Sequence, residues 1–173
     1  MAIYALGDVE PSIDPSAYVH PDAVVIGDVT IGPESSVWPT AVLRGDPGGI
    51  VIGARTSIQD GTVVHTTPIH PTRVGDECVI GHLVHLEGCT IGNGALVGSG
   101  AIVLNGAVLE DECLVGAGAL VPGNLTVPSR AMALGVPASL RLDAVRPDTQ
   151  IRIGMEVYRE RVRTYREQLR RLD

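Results

Sequence analysis

The sequence predicts an all-β fold, a parallel β-helix of about six triangular coils followed by a C-terminal α-helix. Three observations predict it. Apolar residues recur every six positions through most of the 173 residues. The composition replaces rings with small and branched side chains: hydrophobic residues make up 45%, aromatic residues only 3%, and there is no Phe. Beyond residue 148 the apolar spacing changes to alternating steps of four and three, the signature of one helical face.

The six-residue series begins at Ile13 and runs through Val19, Val25, Ile31, Val37 and Leu43. It resumes at Ile52, Ile58 and Val64, then at Val74, Ile80 and Leu86, and continues as Ile91, Val97, Val103, Leu109, Val115 and Val121. A small or branched residue follows four positions later: Ala17, Ala23, Val29, Ser35 and Ala41, with Pro47 breaking the rule, and later Thr56, Thr62, Cys78, Val84, Ala95, Ala101, Ala107, Cys113 and Ala119. A period of six belongs to neither a helix nor a simple alternating strand. Each hexad makes a short flat strand and a corner, and three hexads close one coil. The branched residue fills the prism and the small one fits the corner. Gly after many of the apolar residues relieves backbone crowding there. The stretch GNGALVGSG lies on this period with no βαβ unit around it, so it is not a dinucleotide fingerprint.

The series slips three times. Leu43 to Ile52 carries three extra residues near PGGIV, Val64 to Val74 carries four within TTPIHPTR, and Leu86 to Ile91 is one residue short within LEGCT. Irregularities on neighbouring coils of a solenoid gather on the binding face.

The series ends near Val121, and the Pro- and Gly-punctuated passage 122–147 is expected off the prism. Asp148 or Thr149 is the expected cap of the helix that follows. Its stripe is Ile151, Met155, Tyr158, Val162, Tyr165, Leu169 and Leu172, with Ile153 and Val157 off the line. This face packs along the outside of the prism or against a neighbouring subunit. The chain divides into a β-helix domain, 1–140, and a C-terminal helical segment, 141–173.

The formal charge is −7 and all 13 basic residues are Arg, a balance that argues against nucleic acid as a partner. No run of 18 apolar residues and no signal-like N-terminus is present, so neither a membrane span nor secretion is expected. Cys78, Cys89 and Cys113 have no CxxC spacing and an odd count. They read as free thiols of a cytoplasmic protein.

Three hexads per coil place each hexad above the one three earlier, about 4.8 Å away. The hexads of Leu43, Val64 and Leu86 therefore stack, and their next residues form a column of Arg44, His65 and Glu87. Beside it Gln59 stacks on Gly81 and Asp60 on His82. Such residues serve as hydrogen-bonded rungs or as metal ligands. His20 and His70 read as rungs or solvated edges, while His65 and His82 stand among stacked polar neighbours. His82 projects from another face, so a neighbouring subunit would have to bring it to His65, which implies a cyclic oligomer. Imidazole and carboxylate ligands suit Zn²⁺, or Fe²⁺ and Co²⁺ in a two-His-one-carboxylate sphere.

The segments LRGDPGGIVIGARTSIQDGTVVH, VGDECVIGH, GCTIGNGALVGSGAIVLNGAV, VGAGALVP and ALGVPA resemble the gamma-class carbonic anhydrases, over roughly residues 10–140. The resemblance implies a left-handed β-helix, a homotrimer, a metal at each subunit interface, and reversible hydration of CO₂ to bicarbonate. It implies that His65 is the first metal histidine and His82 the second, given by the neighbouring subunit. Arg44 and Asp46 match the interface pair that orders the site, and Gln59 and Asp60 the polar pair that holds the reactive solvent. The third family histidine falls at Glu87, and the family's Asn before the Gln falls at Ser57. Three arrangements follow. Glu87 ligates directly; or His85 is the third ligand with Glu87 as its partner; or no catalytic metal binds. A carboxylate ligand makes bound water less acidic than a third neutral imidazole does. Other functions on the same frame are a metal-dependent thioesterase with a pocket built by loops 47–51 and 68–73, an acyl-CoA-dependent acyltransferase with a single histidine base, and a non-catalytic trimeric scaffold.

Overall fold

The computed structural model describes residues 2–173. Short parallel strands stack into a three-faced prism of about seven coils. On the first face Ser12–Ile13, the ends of Val24–Ile31 and Val42–Ile52, and then Thr72–Val74, Thr90–Ile91, Val108–Leu109 and Thr126–Val127 lie in register. The second face stacks Tyr18–Val19, Ser36–Val37, Ser57–Ile58, Val79–Ile80, Leu96–Val97, Leu114–Val115 and Met132–Leu134. The third stacks Ala2–Tyr4, the starts of Val24–Ile31 and Val42–Ile52, then Val63–His65, His85–Glu87, Ile102–Val103 and Leu120–Val121. The series of branched residues is the core: Val25, Leu43, Val64, Leu86, Val103 and Val121 are fully buried one above the other.

The prism is longer than the sequence series predicts, at both ends. Ala2–Tyr4 adds a strand below Val24–Ile26. Val127 and Ala133 continue the core beyond Val121, so residues 122–134 belong to the prism. Prolines and glycines punctuate the corners here, yet the inward positions keep their spacing of six. An antiparallel strand, Ser139–Arg141, pairs with Met132–Leu134 at the end of the second face.

Each slip of the series occurs at the corner from the third face to the first, and each time the register recovers. In the first slip Ile50 takes the corner place that Pro47 cannot, lying opposite Val29 and fully buried. In the second, residues 67–70 form a turn in which each of Thr67 and His70 donates its N–H to the other's carbonyl. In the third, Gly88 lies against His70, where a Cβ would approach the His70 Cβ to 2.7 Å.

A second polar ladder runs along the corner from the first face to the second. Asp76 Oδ1 accepts from the N–H of Ala54, Asn93 Oδ1 from Asp76, and Asp111 Oδ1 from Asn93, at 2.7–2.8 Å. These oxygens occupy the space a Cβ would need at Gly53, Gly75 and Gly92. Glycine there leaves room for a side chain from the next coil to satisfy a backbone donor.

The C-terminal segment begins with α1, Pro147–Gln150, and continues as α2, Arg152–Gln168. Neither Asp148 nor Thr149 is a cap: both lie inside the first turn that Pro147 opens after Arg146. Proline at the first helical position makes an earlier start favourable. Helix α2 lies on the second face. Ile151 and Met155 bury against Val79 and Val145, with Leu96, Leu114 and Met132 beside them. Tyr158 and Tyr165 pack edge-on to Trp38, with ring centroids 5.3 and 5.0 Å away. Ile153 and Val157 face outward, as the stripe predicts. The last two stripe positions fail: Leu169 ends the helix and Leu172 is exposed.

The three cysteines are buried and unbridged. Burial pushes each thiol up to about 12. The reactive thiolate is then scarce near neutral pH, so an aromatic disulfide reagent is expected to titrate no thiols of the native chain at pH 8 and all three after denaturation. Rapid labelling without denaturant would contradict this packing.

Candidate functional site

The expected column forms. Arg44 pairs with His65 and His65 with Glu87 in consecutive coils of the third face. Arg44 Nη1 donates to Asp46 Oδ1 at 2.5 Å. The same Asp46 oxygen is 3.6 Å from His65 Nε2. Glu87 Oε1 is 3.5 Å from His65 Nδ1, and Glu87 Oε2 is 3.2 Å from His85 Nε2. Five predicted residues therefore gather at the corner from the third face to the first, beside the irregular loops. The loops themselves touch: a Cβ at Gly48 would approach the Thr67 carbonyl oxygen to 2.5 Å.

The remaining predicted residues lie at the other edge of the third face. Gln59 is buried at the end of its strand, and Asp60 stands below His82. His82 Nδ1 is 2.9 Å from Asp60 Oδ2, and His82 Nε2 is 3.2 Å from the Tyr158 hydroxyl. An ionised carboxylate only accepts, so Nδ1–H donates to Asp60 and the neutral ring's Nε2 accepts from Tyr158. His65 stands between two carboxylates, Glu87 Oε1 3.5 Å from Nδ1 and Asp46 Oδ1 3.6 Å from Nε2. Because Asp46 Oδ1 is taken up by Arg44, the proton of the neutral ring is assigned to Nδ1, towards Glu87, with the lone pair on Nε2. That Nε2 is buried and has no hydrogen-bond partner. Asp46 Oδ1 already accepts from the Arg44 guanidinium, so His65 Nε2 is the acceptor at this corner that is left without a donor. A lone pair so placed can ligate a metal. His65 and His82 each set Nδ1 against a carboxylate from a neighbouring coil, while Nε2 lies near Asp46 in the first and meets the Tyr158 hydroxyl in the second. A carboxylate at Nδ1 orients metal-binding imidazoles.

Among the described residues no hydrogen bond or ion pair joins the two groups, and no cluster of three or more His, Cys, Asp or Glu side chains is arranged to hold a metal within one chain. His20 and His70 stay outside both groups. His20 is buried, accepts the Asp22 N–H on Nδ1 and lies edge-on to Tyr165, so it is a rung and not a solvated edge.

The chain matches the family model for "Bacterial transferase hexapeptide (six repeats)" over residues 71–105 and 88–123. It is 40% identical over 138 residues to the carnitine operon protein CaiE of Escherichia coli, covering 80% of this chain and 70% of that one. It is 44% identical over 137 residues to "Gamma carbonic anhydrase 1, mitochondrial" of Arabidopsis thaliana. The chain belongs to the gamma carbonic anhydrase-like family of hexapeptide-repeat proteins. It spans about half the length of the Arabidopsis relative, with 76% of its own residues aligned. Two solved structures share the whole fold. One is a hexapeptide transferase family protein from Anaplasma phagocytophilum, 36% identical with a TM-score of 0.89 over 95% of this chain and 98% of that one. The other is a putative acetyltransferase from Bacillus cereus, 33% identical with a TM-score of 0.88 over 97% and 98%. No helix among the described residues is long and apolar enough to cross a membrane.

Position 87 bears a carboxylate held well ionised. Its pKa lies below the ordinary value, first through the hydrogen bond from His85 and then through His65, with burial opposing. A depressed folded-state pKa contributes stability above the unfolded-state value, lost as pH falls through the folded one. The unfolding free-energy gap between wild type and Glu87→Gln is expected to close on acidification through and below the carboxylate range. Urea titrations at several pH values measure it, and a gap independent of pH would contradict the assignment. Tyr158 is the neighbour of His82 that the sequence did not point to. It was visible only as one position of the helix stripe, and its approach to His82 depends on how α2 rolls on the second face.

Proposed function

We propose that the chain is a metal-dependent hydratase of the gamma carbonic anhydrase type, acting on CO₂ and bicarbonate as a cyclic trimer. The observation that carries this reading is the buried, partnerless His65 Nε2 at one edge of the third face, with His82, its Nδ1 held by Asp60 and its Nε2 covered by the Tyr158 hydroxyl, at the other. One chain holds the two halves of a centre apart, and a second copy brings them together. The third face between the halves supports this contact: outward-facing Val63 and Ile102 are 38% and 39% exposed. His65 of one copy, His82 of the next and the His85–Glu87 pair would hold the metal, with Zn²⁺ the first choice and Fe²⁺ or Co²⁺ the alternatives. The metal supplies Lewis acidity that lets water ionise near neutral pH.

The residues of the chain do the rest. Arg44 holds Asp46 at the rim of the contact. Asp60 keeps His82 in the Nε2 lone-pair tautomer. Gln59, buried beside it, offers an amide to hold solvent or bicarbonate. The loops over the third-to-first corner limit access to small substrates. The neutral buried thiols fit a reducing compartment, and we assign the cytoplasm.

Elemental analysis, sedimentation and a stopped-flow CO₂ hydration assay on the purified chain test the reading. One metal per chain, a particle of three times 18.1 kDa and hydration activity are expected. A monomer without metal would overturn it. Acyl transfer is the second reading, favoured by the names of the two solved structures. Acetyl-CoA binding by calorimetry without metal would favour it. If the chain binds metal but hydrates no CO₂, thioester hydrolysis is the next assay. A metal-free trimer would point to a scaffold.

A further inference from the structure

Position 87 is where the family pattern leads to a third imidazole, and Glu87 has both its oxygens engaged otherwise. We propose that Glu87 is a positioning residue and not a ligand, and that His85 supplies the third imidazole of the centre; this rests on the metal reading above. The strand His85–Glu87 turns Leu86 into the core, fully buried, so His85 and Glu87 project on the same outward side. Glu87 is in register with His65 in the coil below. Its carboxylate spans the space between two imidazoles, Oε1 at 3.5 Å from His65 Nδ1 and Oε2 at 3.2 Å from His85 Nε2. Because an ionised carboxylate only accepts, the nitrogens facing it carry the protons. With Asp46 Oδ1 taken up by Arg44, the lone pairs left free are on His65 Nε2 and His85 Nδ1, and that of His82 Nε2 becomes free once the Tyr158 hydroxyl, 3.2 Å away, releases it.

One carboxylate thereby sets the tautomer and the ring plane of two imidazoles at once. Asp60 does the same for His82 from the other edge, at 2.9 Å. The centre then has three neutral nitrogen ligands, each steadied by a carboxylate outside the sphere. That arrangement raises ligand basicity without adding an anionic ligand. A histidine at 87 would stand directly above His65. A glutamate there moves the imidazole two residues back along the same strand and ties it to its neighbour.

The test is Zn²⁺ titration of metal-stripped wild type, His65→Ala, His85→Ala, Glu87→Ala and the double variant His85→Ala/Glu87→His, with circular dichroism and sedimentation to confirm folding. His65→Ala and His85→Ala are expected to lose stoichiometric zinc. Glu87→Ala is expected to bind it about 10–100-fold more weakly, with the Co²⁺ absorption spectrum of the loaded protein unchanged. The double variant is expected to regain tight binding. In zinc-loaded wild type labelled with ¹⁵N-histidine, three metal-bound ring nitrogens per chain are expected, a count that needs no variant to fold. Two such nitrogens, or loss of zinc in Glu87→Ala with retention in His85→Ala, would overturn the proposal and leave the metal reading standing. Wild type that takes up no zinc would overturn both.

Discussion

Refolding His65→Ala chains together with His82→Ala chains is expected to restore about a quarter of the wild-type metal content and activity, although neither variant has either alone. The number follows from a centre shared around a three-fold axis. At equal mixing about three trimers in four contain both variants, and each of these has one interface of three in which an intact His65 meets an intact His82. The structure motivates the experiment by placing the two histidines at opposite edges of one face, each with a carboxylate at its back and no contact between the groups. A centre closed within one chain gives no recovery on mixing, and that result would defeat the trimeric reading. Metal content is the primary readout, since it is independent of whether CO₂ is the substrate.

Replacing Trp38 with alanine is expected to cost about 3–5 kcal/mol, the range for deleting a buried large aromatic. Trp38 is 3% exposed and is the only tryptophan of the chain. Its ring lies within 5.0–5.6 Å of Tyr165, Tyr158 and Tyr18, and its indole N–H is shared between the hydroxyls of Ser36 and Ser57. Most of the aromatic surface of this ring-poor protein is gathered between α2 and the second face. The variant removes the centre of that contact and leaves two buried hydroxyls without their donor. Loss of helical signal before the β signal on heating, together with a lower urea midpoint, is the expected course. An unfolding free energy within about 1 kcal/mol of wild type would show that Ile151 and Met155 suffice to hold the helix.

The prism was legible because a coil of three hexads converts a one-dimensional period into a stack. Once Leu43, Val64 and Leu86 were aligned, the neighbours Arg44, His65 and Glu87 had to follow, and so did Asp60 beneath His82. The extra strand at Ala2–Tyr4 and the last coil were missed, the latter because proline and glycine at its corners resemble a break while its inward residues keep the period. Asp76, Asn93 and Asp111 share one hexad position, two after Val74, Ile91 and Leu109. That signal was present in the sequence and unread. The partners of Glu87 and the roll of α2 that brings Tyr158 to His82 were not legible. Each depends on rotamers and packing angles that spacing does not encode.

The prism absorbs three residues more, four residues more and one residue fewer at the same corner, and its core returns to register each time, with Ile50 buried against Val29 as if nothing had been added. Loop length at this corner is thus uncoupled from the coils that carry His65 and Glu87. Such a frame can change what it admits by lengthening or trimming a surface segment while its stability stays nearly constant. The relatives of the chain carry different functions in their names on repeats of this kind.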